Sequence, residues 1–370
     1  MNDLRCAILS SKESNRIESK PPSRTRFDSM EINAVLNALV HAGVPSPYVQ
    51  LLDECFSNTS TTIQLFDRKL TIPIEKGVRQ GDTISPKLFT AALQDAMKNL
   101  DWDAKDYPVD GKRISNLRFA DDIVLISNST AEAEGILSEL NMAGGKIGLD
   151  MNMSKTQFMV NQWCDTGLMK LKGFALQRVD SYVYLGRELS MENDLAPEIA
   201  RRRRAAWAAF SSTREVTDQV KDAGLRASIF NASVLPAMCY ATETWPDNKA
   251  VAKAMQTTHR ALERCFLKTS LRQQRQQGIR SSELREKSQL ADPLQYMKKS
   301  KYRWAGHLLR RKDDRWSLRV TEWLPRDHKR PLGRPPTRWA DSFAKTQRTE
   351  SPSLDASCQR SSDRKGCGPR

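Results

Sequence analysis

At 370 residues, with 39% apolar and 28% charged side chains, the chain has length for two domains and enough apolar material for packed cores, which excludes a wholly disordered protein. No stretch approaches the roughly 20-residue uncharged run that a membrane helix needs, and the apolar patch in MNDLRCAILSSKESNR is too short for a signal peptide, so an intracellular protein of the nucleus or cytoplasm is expected, without a membrane partner. The net charge of +15 is unevenly spread: residues 28–190 carry 16 basic and 21 acidic side chains, and residues 191–370 carry 37 and 20.

An acidic-leaning middle suits cation binding, whereas a basic second half suits phosphate tracking. Charge alone is equally compatible with a solvated surface. The seven cysteines are scattered, with no CxxC pair, and read as free thiols.

In chain order, residues 1–26 are polar, contain Pro21-Pro22 and show no apolar period, so an unstructured leader is expected. Ile32, Val35, Leu36, Leu39 and Val40 then recur at helical spacing, with Asp28 and Glu31 placed as a capping pair and Gly43 as a stop. Pro47 to Cys55 reads as a second short helix. TTIQLF (61–66) and KLTIPI (69–74) read as a hairpin around Asp67-Arg68, and 86–100 returns to helix. ISNLRFADDIVLIS (114–127) predicts two apolar strands pivoting on Asp121-Asp122. A helix follows over 130–143, closed by Gly144-Gly145, then a strand at 156–160 and a tight turn at Leu185-Gly186. From Ala196 the pattern is helical and basic, and 346–370 is a Ser/Arg/Gly-rich tail expected to be disordered.

Asp121-Asp122 between apolar runs is the strongest chemical signal. Adjacent carboxylates at a hairpin tip raise each other's pKa unless a cation neutralises them, and hard divalent ions prefer such oxygens. The dipeptide alone also fits an ordinary turn facing water, so spacing does not decide.

Context does. FADD is preceded by GVRQGDTISPKLF (77–89) and followed by GLDMNMSKTQFMV (148–160) and YVYLG (182–186). This order resembles the palm of reverse transcriptases, closest to the LINE-type, RTE-clade non-LTR retrotransposons, over residues 27–345. The resemblance implies an α+β fold: a palm of antiparallel sheet with helices on one face at 27–190, then a mainly helical thumb and C-terminal nucleic-acid-binding region at 191–345. It implies an RNA template, a DNA primer or target, dNTPs as substrates and Mg²⁺ held by Asp121 and Asp122. Arg79, Gln80 and Gly81 match the segment that contacts template and incoming base pair. Lys155 matches the basic residue near the triphosphate, and Tyr184, Leu185 and Gly186 match the primer grip.

The sequence departs from that family at its first motif. Phe27-Asp28-Ser29 matches the motif's end, with Phe27 where an aromatic screens the sugar. Counting back, the first catalytic aspartate belongs at position 22, and position 22 is proline. Proline is excluded from central strands. The expectation is an N-terminally truncated family member whose palm sheet lacks its first central strand and exposes an edge, and which does not polymerise alone. A non-catalytic nucleic-acid-binding remnant of a retroelement is the alternative function.

In the basic half, Arg201, Arg202, Arg203 and Arg204 cover a helical turn, so some must face a groove or a partner. Trp207 and Phe210 share one face. Trp304, Trp316 and Trp323 punctuate Arg303, Arg310, Arg311 and Arg315, a pattern that suits backbone tracking with base stacking, though the tryptophans fit a core equally well. Arg334, in KRPLGRPPTRW (329–339), stands in a segment resembling a minor-groove hook. His307 and His328 lack cysteines at zinc spacing.

Overall fold

The computed structural model describes residues 6–10, 29–79, 81–98, 100, 102, 107–109, 111–165, 167–313, 316–322, 333 and 337–343. The chain divides into two units, the first formed by residues up to Leu185 together with Leu189–Asp194, the second by Gly186–Glu188 and the residues from Leu195 onwards.

The first unit opens with a strand where a leader was expected. Strand β1 (Cys6–Ser10) lies between β7 (Asp122–Ser127) and β8 (Thr156–Val160), antiparallel to both. This corrects two expectations. Within 1–26, residues 6–10 are ordered strand, and the palm sheet does not lack a central strand there. Ile8 pairs with Leu125 on one side and Phe158 on the other, and it is 1% exposed. The remainder of the expected leader lies outside the described residues.

Two hairpins follow, β2 (Ser60–Leu65) with β3 (Arg68–Pro73), and β4 (Tyr107–Val109) with β5 (Lys112–Ile114). Strand β6 (Asn116–Phe119) pairs with β7, with Phe119 opposite Asp122. Beyond β8 come the short strands β9 (Lys170–Leu171), β10 (Phe174–Ala175) and β11 (Gln177–Arg178), then β12 (Ser181–Tyr184) and β13 (Arg187–Ser190). The central sheet runs β11-β8-β1-β7-β6.

One face of that sheet carries the helices. Ser85–Lys98 buries Leu88, Phe89, Ala92, Leu93 and Met97, a single stripe at helical spacing. Thr130–Lys146 buries Ala133, Ile136, Leu137 and Leu140, and begins where the Ser129 side chain accepts the Glu132 N–H. Together with Ile32–His41 they enclose Ile8, Ile123, Leu125 and Phe158. The opposite face gathers Val124, Ile126, Met159 and Tyr182. This is the α+β architecture expected, an antiparallel-rich sheet with helices on one side.

Three local expectations need adjustment. The helix Ile32–His41 starts without a side-chain cap from Glu31, and Asp28 lies outside the described residues. The β2–β3 hairpin forms as read, but its turn lies one residue earlier, at Phe66-Asp67. The helix beginning at Thr130 runs through Gly144-Gly145, and the backbone turns only at Gly148, φ +78°. A Cβ on Gly148 would lie 2.5 Å from the Ser29 carbonyl oxygen and 3.1 Å from the Glu31 nitrogen. Gly148→Ala is therefore expected to destabilise the first unit. The left-handed backbone alone costs about 1–2 kcal/mol, and the clash with backbone adds to it. A urea titration showing no loss would contradict this packing.

The second unit is helical throughout its longer elements. Ala196–Gln219 packs on Ala223–Met238, and Lys249–Phe266 and Pro293–Arg310 complete a core around Phe210, Phe230, Leu235, Trp245 and Leu262. Its helix starts are written locally. The side chains of Asp222, Asn248 and Asp292 each accept a backbone N–H of their own first turn, and Ser270 and Gln273 form a reciprocal capping box. Trp207 and Phe210 meet edge to face at 6.0 Å. Shorter helices span Leu271–Gln276, Ser281–Ser288 and Trp316–Glu322. No helix among the described residues is long and apolar enough to cross a membrane.

Candidate nucleic-acid-processing site

The apolar strands β6 and β7 force a tight reversal whose tip is Ala120-Asp121, Ala120 taking φ 50°. Asp122 is the first residue of β7, so both carboxylates stand at one end of the sheet, and both are half-buried. One oxygen of Asp121, Oδ2, is sealed from solvent. The strand leading to this tip from the other side is β1, whose last residue, Ser10, pairs with Ile123. Its five residues, Cys6-Ala7-Ile8-Leu9-Ser10, contain no carboxylate.

Tyr184 belongs to the same neighbourhood. Burial pushes its phenol above the usual tyrosine range, and the negative charges of Asp122 and Tyr182 push in the same direction. Leu185 and Gly186 form the expected tight turn, with φ 47° and 78°.

Arg79 is exposed, and its Nη2 donates to the Cys55 carbonyl at 2.9 Å. Gly81 has φ +88°, and a Cβ there would meet nothing within 4 Å, so the backbone on that side is open. Lys155 is half-buried, in the turn that opens β8. Phe27, Gln80, Arg315, Trp323, His328 and Arg334 lie outside the described residues.

The four consecutive arginines divide by role. Arg202 is buried against Glu198, with its Nε 2.9 Å from the carboxylate, and its Nη2 donates to the Gly186 carbonyl at 2.9 Å. Arg201 donates to the same carbonyl oxygen. Arg203 and Arg204 are exposed. Arg310 is exposed too, whereas Arg311 turns back along its helix and donates to Nε2 of His307 at 3.2 and 3.0 Å. Half the run thus fastens a turn instead of reaching outward. The signal was present in the sequence, because Glu198 stands three and four residues before Arg201 and Arg202.

The donor chemistry at the hairpin tip tests which ions it suits. Two carboxylates in one tight turn match a hard divalent cation. Among the described residues, however, no group of three or more Asp, Glu, His or Cys side chains gathers anywhere. A two-ion centre needs ligands beyond a single pair, so the described residues do not make one.

Comparison with known proteins identifies the lineage. Residues 22–189 match the reverse transcriptase (RNA-dependent DNA polymerase) family. A transposon-derived protein of Caenorhabditis elegans is 44% identical over 241 residues, covering 64% of this chain and 86% of that protein. The Pol polyproteins of type-1 retrotransposable element R2 are similar at 27% identity in Bradysia coprophila, over 35% of this chain, and 29% in Nasonia vitripennis, over 34%. The matched region spans 15% and 12% of those two polyproteins. Reverse transcriptases as a family use divalent metal ions and work on a nucleic-acid template and primer. With its ordered motifs, the antiparallel sheet that carries the aspartate pair, and this kinship to retroelement proteins, the chain belongs to the reverse transcriptases of non-LTR retrotransposons.

Proposed function

We propose that this chain holds RNA template and DNA primer as a reverse-transcriptase domain does, but does not extend the primer from dNTPs on its own. The observation that carries this reading is the register of β1: the strand beside the aspartate pair ends at Ser10 opposite Ile123 and brings no acid. In a two-ion reaction, carboxylates from neighbouring strands clamp both ions, which activate the attacking hydroxyl and stabilise the leaving group. In this proposal Asp121 and Asp122 would hold at most one Mg²⁺. Arg79, Gly81 and Lys155 retain the template- and nucleotide-facing roles that the family gives them. Tyr184, Leu185 and Gly186 guide the primer end. The same proposal assigns the chain to the nucleus or cytoplasm, where such partners occur.

Removing one electrostatic stabiliser from a closed site costs about a hundredfold or more in rate, and a missing bridging ligand costs at least that. The test is primer extension on a homopolymer template with Mg²⁺. The expected result is no extension above a chain carrying Asp121→Ala. Extension that disappears with Asp121→Ala would overturn the proposal and establish a working polymerase.

A further inference from the structure

The second unit carries a concavity that the aspartate site does not use. It encloses about 480 Å³ between the end of the helix Ala223–Met238 and the helix Pro293–Arg310, the size of a pocket for a nucleotide-scale ligand. Its long wall is one helix face. Tyr296, Ser300, Arg303, His307 and Arg310 follow one another at steps of four, three, four and three, with Trp304 beside them. The helix is amphipathic, and this is the face turned away from its apolar stripe. Here it is basic and aromatic, and it runs about 21 Å at 1.5 Å per residue. The helix packs on the core through Leu294 and Met297, with Tyr296 also against it, and through Lys301, whose Nζ donates to the Trp245 carbonyl at 2.8 Å.

The other wall is Tyr240, 49% exposed. The Arg202 guanidinium lies over its ring, 5.1 Å from the centroid, and the ring packs so closely on Gly186 that a Cβ there would be 3.0 Å away. Trp304 and His307 stand with their rings 5.9 Å apart and 30° from parallel. His307 accepts from Arg311 at Nε2, so its ring is held beside the tryptophan.

The charge is unbalanced in favour of an anion. Glu243 also lines the space, one carboxylate against the guanidinium groups of Arg303 and Arg310. Arg303 and Arg310 are exposed and have no ion-pair partner among the described residues.

We propose that this groove, formed by Tyr240, Tyr296, Arg303, Trp304, His307 and Arg310, binds a single strand of nucleic acid. A base stacks between the aromatic side chains, and the flanking phosphates meet Arg303 and Arg310. Rings with interspersed guanidinium groups bind unpaired bases and their backbone together. A duplex keeps its bases stacked inside and offers nothing to insert. The proposal rests on the nucleic-acid-holding role argued above and adds which form of strand is held, and where.

The test uses the full chain, a labelled oligothymidylate and a blunt duplex of equal length, followed by fluorescence anisotropy over a range of salt. Arg303→Gln with Arg310→Gln is expected to weaken oligothymidylate binding about tenfold. It should also flatten the salt dependence by about 1.4 in log–log slope, at about 0.7 for each single-strand phosphate contact. Duplex affinity should change less than about twofold. Trp304→Ala is expected to cost about 5- to 150-fold, the range for one stacked base, and Trp304→Phe should recover most of it. If Trp304→Ala fails to fold by circular dichroism, the two exposed arginines carry the test. Oligothymidylate binding with unchanged affinity and slope in the arginine variant would overturn the groove while leaving the nucleic-acid role standing. Displacement of the oligonucleotide by polyglutamate as effectively as by unlabelled oligothymidylate would also overturn it. No binding of any nucleic acid at low salt would overturn both readings together.

Discussion

Replacing Ile8 with alanine is expected to destabilise the first unit by about 2–5 kcal/mol, the range for truncating a buried isoleucine or leucine. Ile8 is 1% exposed and packs in the cluster that contains Ile123, Leu125, Ile136, Leu137, Leu140 and Phe158, so the lost methyl groups leave a void lined on several sides. Ile8→Asp should be harsher, because a carboxylate there would be buried without a partner. Urea unfolding followed by circular dichroism measures the difference, and hydrogen exchange reports directly on the β1 amides. A loss below about 0.5 kcal/mol, the level of an ordinary surface substitution, would show that Cys6–Ser10 does not fill the centre of the sheet. The assignment of an acid-free strand beside the aspartates would fall with it.

Glu198→Ala is expected to cost the second unit about 3–5 kcal/mol, as breaking one side of a buried ion pair does. Glu198 is 0% exposed. Its carboxylate lies 2.9 Å from Arg202 Nε and 3.8 Å from Arg201, and it accepts the Glu188 N–H at 2.7 Å. Without it, Arg202 stays buried with its charge uncompensated. Burial already holds that guanidinium below its ordinary range, with Glu198 opposing the shift. Glu198→Gln, which keeps an oxygen for the Glu188 amide, should lose less. Adding Arg202→Met to Glu198→Ala should recover much of the loss, since the stranded charge is then gone. If the two single changes simply add, Glu198 and Arg202 are not coupled and the ion pair does not hold this turn.

What the sequence made legible follows from the range over which each signal acts. The hairpin carrying Asp121 and Asp122 and the strand Thr156–Val160 are announced by β-branched and apolar runs with a turn between. The strand stands where it was expected, and the hairpin reverses one residue earlier, at Ala120-Asp121, with Asp122 already in β7. The helices of the basic half are announced by their own period and caps. β1 could not be read this way. CAILS is five residues in a polar stretch, and it becomes a strand only because partners at 123–127 and 156–160 leave a gap of matching shape and polarity. Tyr240 and Tyr296 were missed for a related reason. Neither stands in a motif, and only the crossing of two helices brings them to one hollow. Arg303, Trp304 and Arg310 were legible as a basic and aromatic pattern, whereas the hollow they share with Tyr240 was not.

The placement of β1 sets an order on biosynthesis. Cys6 leaves the ribosome well before its partner Val160, which is about 150 residues further along the chain. At about 5–20 residues per second, translation alone imposes a wait of roughly 8–30 s before both neighbours exist. Until then the apolar segment can pair on one side at most, with Asp122–Ser127, and this interval is when a chaperone has most to do.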